Sequence, residues 1–293
     1  MPSLKDIRNR VRSVKNTQKI TRAMKLVAAA KLKRAQLGVE AARPYAHKMH
    51  ETIKSLVAEA DPESDPLFRV AEAPDNIALV PMTSNRGLCG GFNANLTRRV
   101  AAFRKENAHG FGEILVSPLG RKGFSYFNRR DIPSAVDLTE LDPNDPGVTS
   151  GLLTEELVKL FKSGEVDEVY LVFNEFKSAM TQEVVFQRLL PLSPETFQAK
   201  GEEHTSGPEF IYEPDKATLL STLLPQYVES QVLRALLESN ASEQGARMTA
   251  MDSATNNASD LIDKLTLQMN RARQAAITTE LMEITSGAEA LKG

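Results

Sequence analysis

The residues best able to do chemistry sit in one stretch, Thr83 to Leu96, "TSNRGLCGGFNANL", where three glycines and the only cysteine follow the apolar run "NIALVPM". A Walker loop needs Gly, four residues, Gly, then Lys and Ser or Thr, so that backbone amides and an ammonium hold phosphates. Here Gly87, Gly90 and Gly91 run into Phe92 and Asn93, and the lysine is missing. The Gly-x-Gly-x-x-Gly spacing of a dinucleotide turn is missing as well. A nucleophilic Cys89 needs a base close in space. Of the four histidines, His47 and His50 fall on a helical stretch and His204 in a loop, which leaves His109. The other reading makes Gly87, Gly90 and Gly91 a structural turn, where glycine permits positive φ between a strand and a helix capped by Asn93 or Asn95. Paired carboxylates in "TEEL" and "GEEH" have no neighbours that would split their pKa values, so they read as solvated surface. No spacing suits a metal, and the sequence offers no catalytic or cofactor-binding residue set.

The elements that must carry this loop follow from composition and periodicity. A chain of 293 residues, 41% hydrophobic and 25% charged, is composed like an ordinary globular protein. One cysteine excludes an internal disulfide and a cysteine-based zinc site. No apolar run approaches the roughly 18 residues of a membrane span, and no signal peptide is evident. The net charge of -2 is unevenly distributed: residues 1 to 40 carry eleven Lys and Arg against Asp6 and Glu40, a net +9, which leaves -11 for the rest. A basic arm on an acidic body suits nucleic acid, an anionic membrane surface, a transit peptide, an acidic protein partner, or simply a solvated helix face.

From Leu4 the chain has helix formers and no proline up to Pro44, with apolar residues at Leu4, Ile7, Val11 and Val14. The stripe is expected to change phase near Thr17 and resume as Ile20, Ala23, Met24, Val27 and Ala30. Pro44 should bend or interrupt the helix, which resumes to about Leu56. Between 75 and 210, strand-like runs alternate with helices: "NIALVPM", a helix over 93–107, "EILVSP", a helix from about Arg121, "IPSAVDL", a helix over 147–163, then "DEVYLVFNEF" and "QEVVFQRLLPL" joined by "KSAMT". This is a Rossmann-like α/β domain with a mixed sheet ending in an antiparallel hairpin, followed by a loop. From about Asp215 only Pro225 interrupts a helical pattern, which over 226–291 would reach about 100 Å at about 1.5 Å per residue. Its seam repeats every seven residues through Ala241, Met248, Thr255, Ile262, Met269 and Ala276, alternating with Gln244, Met251, Ala258, Leu265 and Ala272. Such a seam predicts a coiled coil, most simply antiparallel with the N-terminal helix. The expected division is 1–58 N-terminal helix, 75–210 α/β domain and 215–293 C-terminal helix.

The stretches "MPSLKDIRNRVRSVKNTQKITRAMKLVAAAKLKRAQ" and "SEQGARMTAMDSATNNASDLIDKLTLQMNRARQAAITTELMEITSGAEAL" resemble the terminal helices of the γ subunit of F-type ATP synthase. "NRGLCGGFNANL" resembles the family's loop after its first strand, and the three matches occur in the family's order. The resemblance implies a rotor shaft without an active site of its own, held inside the hexamer of α and β subunits, with its α/β domain on the c-ring beside ε. It implies no cofactor and no nucleic acid, and a peripheral position on the cytoplasmic face of a bacterial inner membrane. It places Met24, Lys25, Arg273, Gln274, Thr278, Glu280 and Glu283 where the shaft meets the β subunits, "EITSGAEAL" as the tip in an apolar sleeve, and Glu209, Tyr212 and Glu213 at the membrane-side foot. The match begins near residue 3, so the basic arm is expected to be shaft rather than transit peptide. With Cys89 alone, the family's light-driven thiol switch is not expected. On the residues alone, a coiled-coil adaptor with a basic arm for nucleic acid or membrane, and an enzyme using Cys89, stay open.

Overall fold

A seven-residue repeat brings successive seam residues back to one side of a slightly underwound helix, and that repeat organises the two longest elements. The computed structural model describes residues 3–57, 65–192 and 216–290. Helix α1 spans Leu4–Val57 and the last helix, α5, spans Lys216–Ala290. The chain divides into two compact units, Met1–Ala28 with Met248–Gly293, and Ala29–Arg247.

In the first unit α1 and α5 run antiparallel, with Thr21 opposite Thr255 and Lys25 opposite Asp252. Ile7, Val11, Thr21 and Ala28 of α1 are buried, and Leu4, Val14, Gln18 and Lys25 partly so. They face Met251, Ala258 and Leu265 of α5, flanked by half-buried Met248, Thr255, Ile262, Met269 and Ala272. The expected change of phase near Thr17 does not occur. The heptad continues through Gln18, Thr21, Lys25 and Ala28, and the more apolar Ile20 and Val27 are 60% and 57% exposed. Polar and small residues hold the seam there because helix geometry, not hydrophobicity, sets which positions face the partner. Ala276, expected in the seam, is exposed, because α1 has already ended at that level.

The second unit is built on a four-stranded sheet in the order β2-β1-β3-β4, with β1 Asn76–Pro81, β2 Glu113–Val116, β3 Glu168–Phe176 and β4 Gln182–Leu190. β1 pairs in parallel with β2 and β3, and β4 folds back antiparallel on β3. Alternate residues of β1 point to opposite faces, as a strand requires. Ile77 and Leu79 meet α2 (Phe92–Glu106) and α3 (Arg121–Asn128) through Leu96, Val100 and Phe127. Ala78, Val80 and Met82 meet α4 (Pro146–Lys162), the last turns of α1 and the first half of α5.

The stretch "IPSAVDL" is not a strand. Pro133 has no N–H to contribute to a ladder, and the segment is instead held at the sheet edge by Ser117, whose Oγ accepts from the N–H groups of Ala135 and Val136 at 3.2 and 2.9 Å. The helix is not interrupted at either proline: Pro44 and Pro225 lie inside continuous helices. Each lost backbone bond is offset by tertiary packing, of Met49, Ile53 and Leu56 beyond Pro44, and of Leu224 and Val228 on either side of Pro225, all in the core. The "SPETFQAKGEEHTSGPEF" loop falls outside the described residues.

Gly120, before α3, has φ 90°, and a Cβ there would stand within van der Waals overlap of the Thr83 carbonyl. Gly120→Ala should therefore lose at least about 2 kcal/mol of unfolding free energy in denaturant titrations, because left-handed strain and a backbone clash add.

Candidate functional site

An open α/β sheet ordinarily binds its ligand where the strand order reverses, beyond the carboxyl ends of the strands. In this sheet that place lies between β1 and β3, and α5 fills it. Ser239 Oγ donates to the Met82 carbonyl at 3.4 Å, and Ser242 Oγ to the Asn174 carbonyl at 2.7 Å. The Phe176 N–H donates to Glu238 Oε2 at 3.1 Å, and Asn240 Nδ2 to the Pro143 carbonyl at 2.8 Å. From Ala241 to Ala246 every residue of α5 is buried. A helix enclosed on all sides needs small side chains so that backbones can approach, and a Cβ on Gly245 would already lie 3.2 Å from the Cα of Ala179.

At this enclosed stretch of α5, Glu243 and Arg247, one helical turn apart, form a 2.6 Å ion pair with side chains only 7% and 12% exposed. Arg247 also donates to the carbonyls of Arg86 and Gly87, at 3.4 and 3.3 Å, which ties α5 to the glycine loop. Burial pushes the Glu243 carboxyl above the usual range; Arg247 and Lys31 pull it back and Asp142 adds to the rise. A buried carboxylate without its cation is costly. Sequence reasoning placed Ala241 and Gln244 here as coiled-coil seam and did not single out this pair. The available signal was a Glu and Arg four apart inside the small, polar helical run "SNASEQGAR".

The glycine loop is a turn with two residues in the left-handed region, Gly90 at φ 56° and Leu88 at 63°. Gly91 is the N-cap of α2 and makes no side-chain cap bond. Neither expected asparagine caps the helix, because each is engaged elsewhere. Asn93 Oδ1 accepts from the Ser84 N–H at 3.0 Å, and its Nδ2 donates to Ser84 Oγ at 2.7 Å. Asn95 accepts from Arg98 at 2.8 Å. Cys89 is 2% exposed and packs with Phe92 and Ala246. Burial pushes its thiol up, against smaller opposing effects of Ser84 and Arg247. The candidate base His109 lies exposed in the turn after α2.

The residues that the family resemblance singled out fall in two groups within the first unit. Met24 and Lys25 are half-buried on α1, and the Lys25 ammonium lies 2.6 Å from Asp252. Arg273, Gln274, Thr278, Glu280 and Glu283 are exposed on α5 beyond Ala272. Since Lys25 lies opposite Asp252, the groups stand about 30 Å apart along α5 at about 1.5 Å per residue. Past Ala272 every residue through Gly287 is exposed, among them Ile277, Leu281, Met282 and Ile284 at 50 to 65%. Glu209, Tyr212 and Glu213 lie outside the described residues.

A family model described as ATP synthase matches residues 3–291. Among curated relatives, the ATP synthase gamma chain of Geobacter metallireducens is 52% identical over 294 residues, covering 100% of both chains. The chain belongs to the ATP synthase gamma-chain family. The gamma chain of Geotalea uraniireducens is 50% identical, again over 100% of both chains. Among solved structures, a chain of the central stalk and c-ring of Tetrahymena thermophila mitochondrial ATP synthase is 30% identical with a TM-score of 0.57, covering 80% of this chain and 99% of that one. A chain of the Euglena gracilis mitochondrial enzyme, 22% identical, shares the fold with a TM-score of 0.67 over 98% of this chain and 94% of that one. A gamma chain is a subunit of ATP synthase. Among the described residues, no helix is long and apolar enough to cross a membrane.

Two measurements check the enclosed stretch of α5 and the glycine loop beside it. Arg247→Met should cost about 3–5 kcal/mol in denaturant unfolding by stranding Glu243, and Glu243→Gln with Arg247→Met should recover part of that loss. Because burial raises the Cys89 thiol, its thiolate fraction at pH 8 falls below that of a free cysteine. Alkylation by iodoacetamide at pH 8 should accordingly run at least about tenfold slower in the folded than in the unfolded chain.

Proposed function

We propose that this chain is the central rotor shaft of an F-type ATP synthase and couples rotation of the c-ring to conformational change at the catalytic β subunits. The observation that supports this most directly is the exposed run of α5 beyond Ala272. Its apolar residues Ile277, Leu281, Met282 and Ile284 have no covering element among the described residues, and exposed apolar surface of that kind marks a place where another protein packs. In this reading the collar of the α and β subunits covers it, the basic face of α1 lies within that collar, and the α/β domain stands toward the c-ring and ε with Glu209, Tyr212 and Glu213 at the foot. In this reading the helix pair of the first unit serves as the shaft.

The chain itself is non-catalytic in this reading. What supports that is the engagement of its two most chemical features: the crevice of the sheet is filled by α5, and Cys89 is buried among Ser84, Asn93 and Phe92. The proton-driven complex would hold the chain at the cytoplasmic face of a bacterial inner membrane. A second reading, an adaptor whose basic arm binds nucleic acid, predicts log-linear weakening of DNA binding with salt.

The coupling surface consists of Met24 and Lys25 on α1, and Arg273, Gln274, Thr278, Glu280 and Glu283 on α5. Arg273→Leu with Gln274→Leu should leave α5 helical, since leucine is a good helix former, and the complex should assemble. Losing charge-assisted contacts worth about 1.5–3 kcal/mol each should lower turnover of the purified complex about tenfold or more. Wild-type hydrolysis and pumping in that double variant would remove these residues from the coupling surface.

A further inference from the structure

In the first unit, polar contacts join the helices at Thr21–Thr255 and at Lys25–Asp252, in a seam otherwise made mainly of apolar and small side chains. The Thr21 hydroxyl lies 2.8 Å from that of Thr255. Each hydroxyl also has a carbonyl of its own helix within reach, Met251 at 2.7 Å for Thr255 and Gln18 at 3.1 Å for Thr21, and either can be the donor across the pair. One turn further along α1, Lys25 Nζ lies 2.6 Å from Asp252 Oδ1. Below this layer the seam is Ile7, Val11 and Leu265; above it are Ala28 and Met251. Alanine and methionine discriminate poorly between neighbouring rotational settings of two helices, because small or flexible side chains fit several of them. Paired polar groups discriminate well, because a hydroxyl or carboxylate moved away from its partner loses a directed contact.

We propose that Lys25 acts on coupling through Asp252 rather than through a charge offered to another subunit: with the Thr21–Thr255 layer, the Lys25–Asp252 pair is a lock that holds the two helices in one rotational setting. Asp252, Thr21 and Thr255 thereby become positioning residues of the shaft. The lock rests on the reading of the chain as a rotor shaft, and it refines the coupling surface, since a lysine whose ammonium is committed to Asp252 is not a free cation for a partner. Its energy is modest: both side chains are partly solvated, at 38% and 45% exposure, and exposed ion pairs contribute little to stability. Its effect is therefore expected in the distribution of settings and not in whether the unit folds.

Charge reversal separates the two roles of Lys25. Four versions of the full complex are compared with wild type: Lys25→Gln, Asp252→Asn, Lys25→Asp, and Lys25→Asp with Asp252→Lys. Amide hydrogen exchange over residues 18–30 is read in the full-length chain, and protons pumped per ATP hydrolysed in the assembled complex. For a lock, Lys25→Gln and Asp252→Asn raise exchange alike, by about two- to fivefold, and lower the pumping ratio by similar factors. Lys25→Asp is worse in both readouts, and the reversed pair returns both to near the wild-type value. If Lys25 meets a partner directly, Asp252→Asn behaves as wild type and the reversed pair fails as badly as Lys25→Asp, and the proposal is overturned. Exchange that follows the lock pattern while the pumping ratio stays constant also overturns it, by separating the pair from coupling. A complex purified without this chain that still couples ATP hydrolysis to proton pumping would sink the shaft reading itself and leave the exchange result standing.

Discussion

A helix enclosed on every side can carry only side chains small enough to admit its neighbours' backbones, and each polar group it brings in must find a partner there. α5 meets that constraint between Ala241 and Ala246, and the rest of its unit is arranged around the solution. Serines donate to strand-end carbonyls, Gly245 admits the β3–β4 turn, and Glu243 is held by Arg247, which reaches on to the glycine loop. The space that a related fold would give to a ligand is thus occupied by the chain's own helix. The loop that looked most like a phosphate cradle is a docking edge for that helix.

The same helix buries two kinds of surface. Over its first half it presents a wide stripe to the sheet, from Leu220 and Leu224 through Val228, Val232, Ala235 and Leu236. Over its second half it presents the narrow seven-residue seam of a two-helix pair, from Met251 through Ala258 to Leu265. Wide and narrow stripes are the respective signatures of globular and coiled-coil helices.

This division explains what could be read from the residues alone. Strands β1 to β4 and helices α2 to α4 were legible because their apolar runs are short and bounded by Gly, Pro and Asn. The C-terminal seam was legible from Met248 to Ala272 because its period is strict, while Ala241 and Gln244 fall in the enclosed turn of α5 and Ala276 is exposed. The phase of α1 was misread where Ile20 and Val27 outweighed Thr21 and Ala28 in apolarity, since periodicity weighs side chains and cannot see which face has a partner. An interruption of the helix at Pro44 or Pro225 does not occur, because tertiary packing that the sequence does not display outweighs local propensity. The Glu243–Arg247 pair was missed because a Glu and an Arg four apart are ordinarily a solvated surface pair; only enclosure makes this one structural.

The unbroken seven-residue phase of α1, from Ile7 through Ala28, gives the first unit a chirality of function as well as of form. A strict heptad winds two helices left-handed about each other. Twist applied in one sense adds turns to that winding and presses the seam together, whereas twist in the other sense removes turns and draws the seam apart. The paired helices are a ratchet-like material in the limited sense that their stiffness has a sign, set by nothing more than which residue recurs every seventh position.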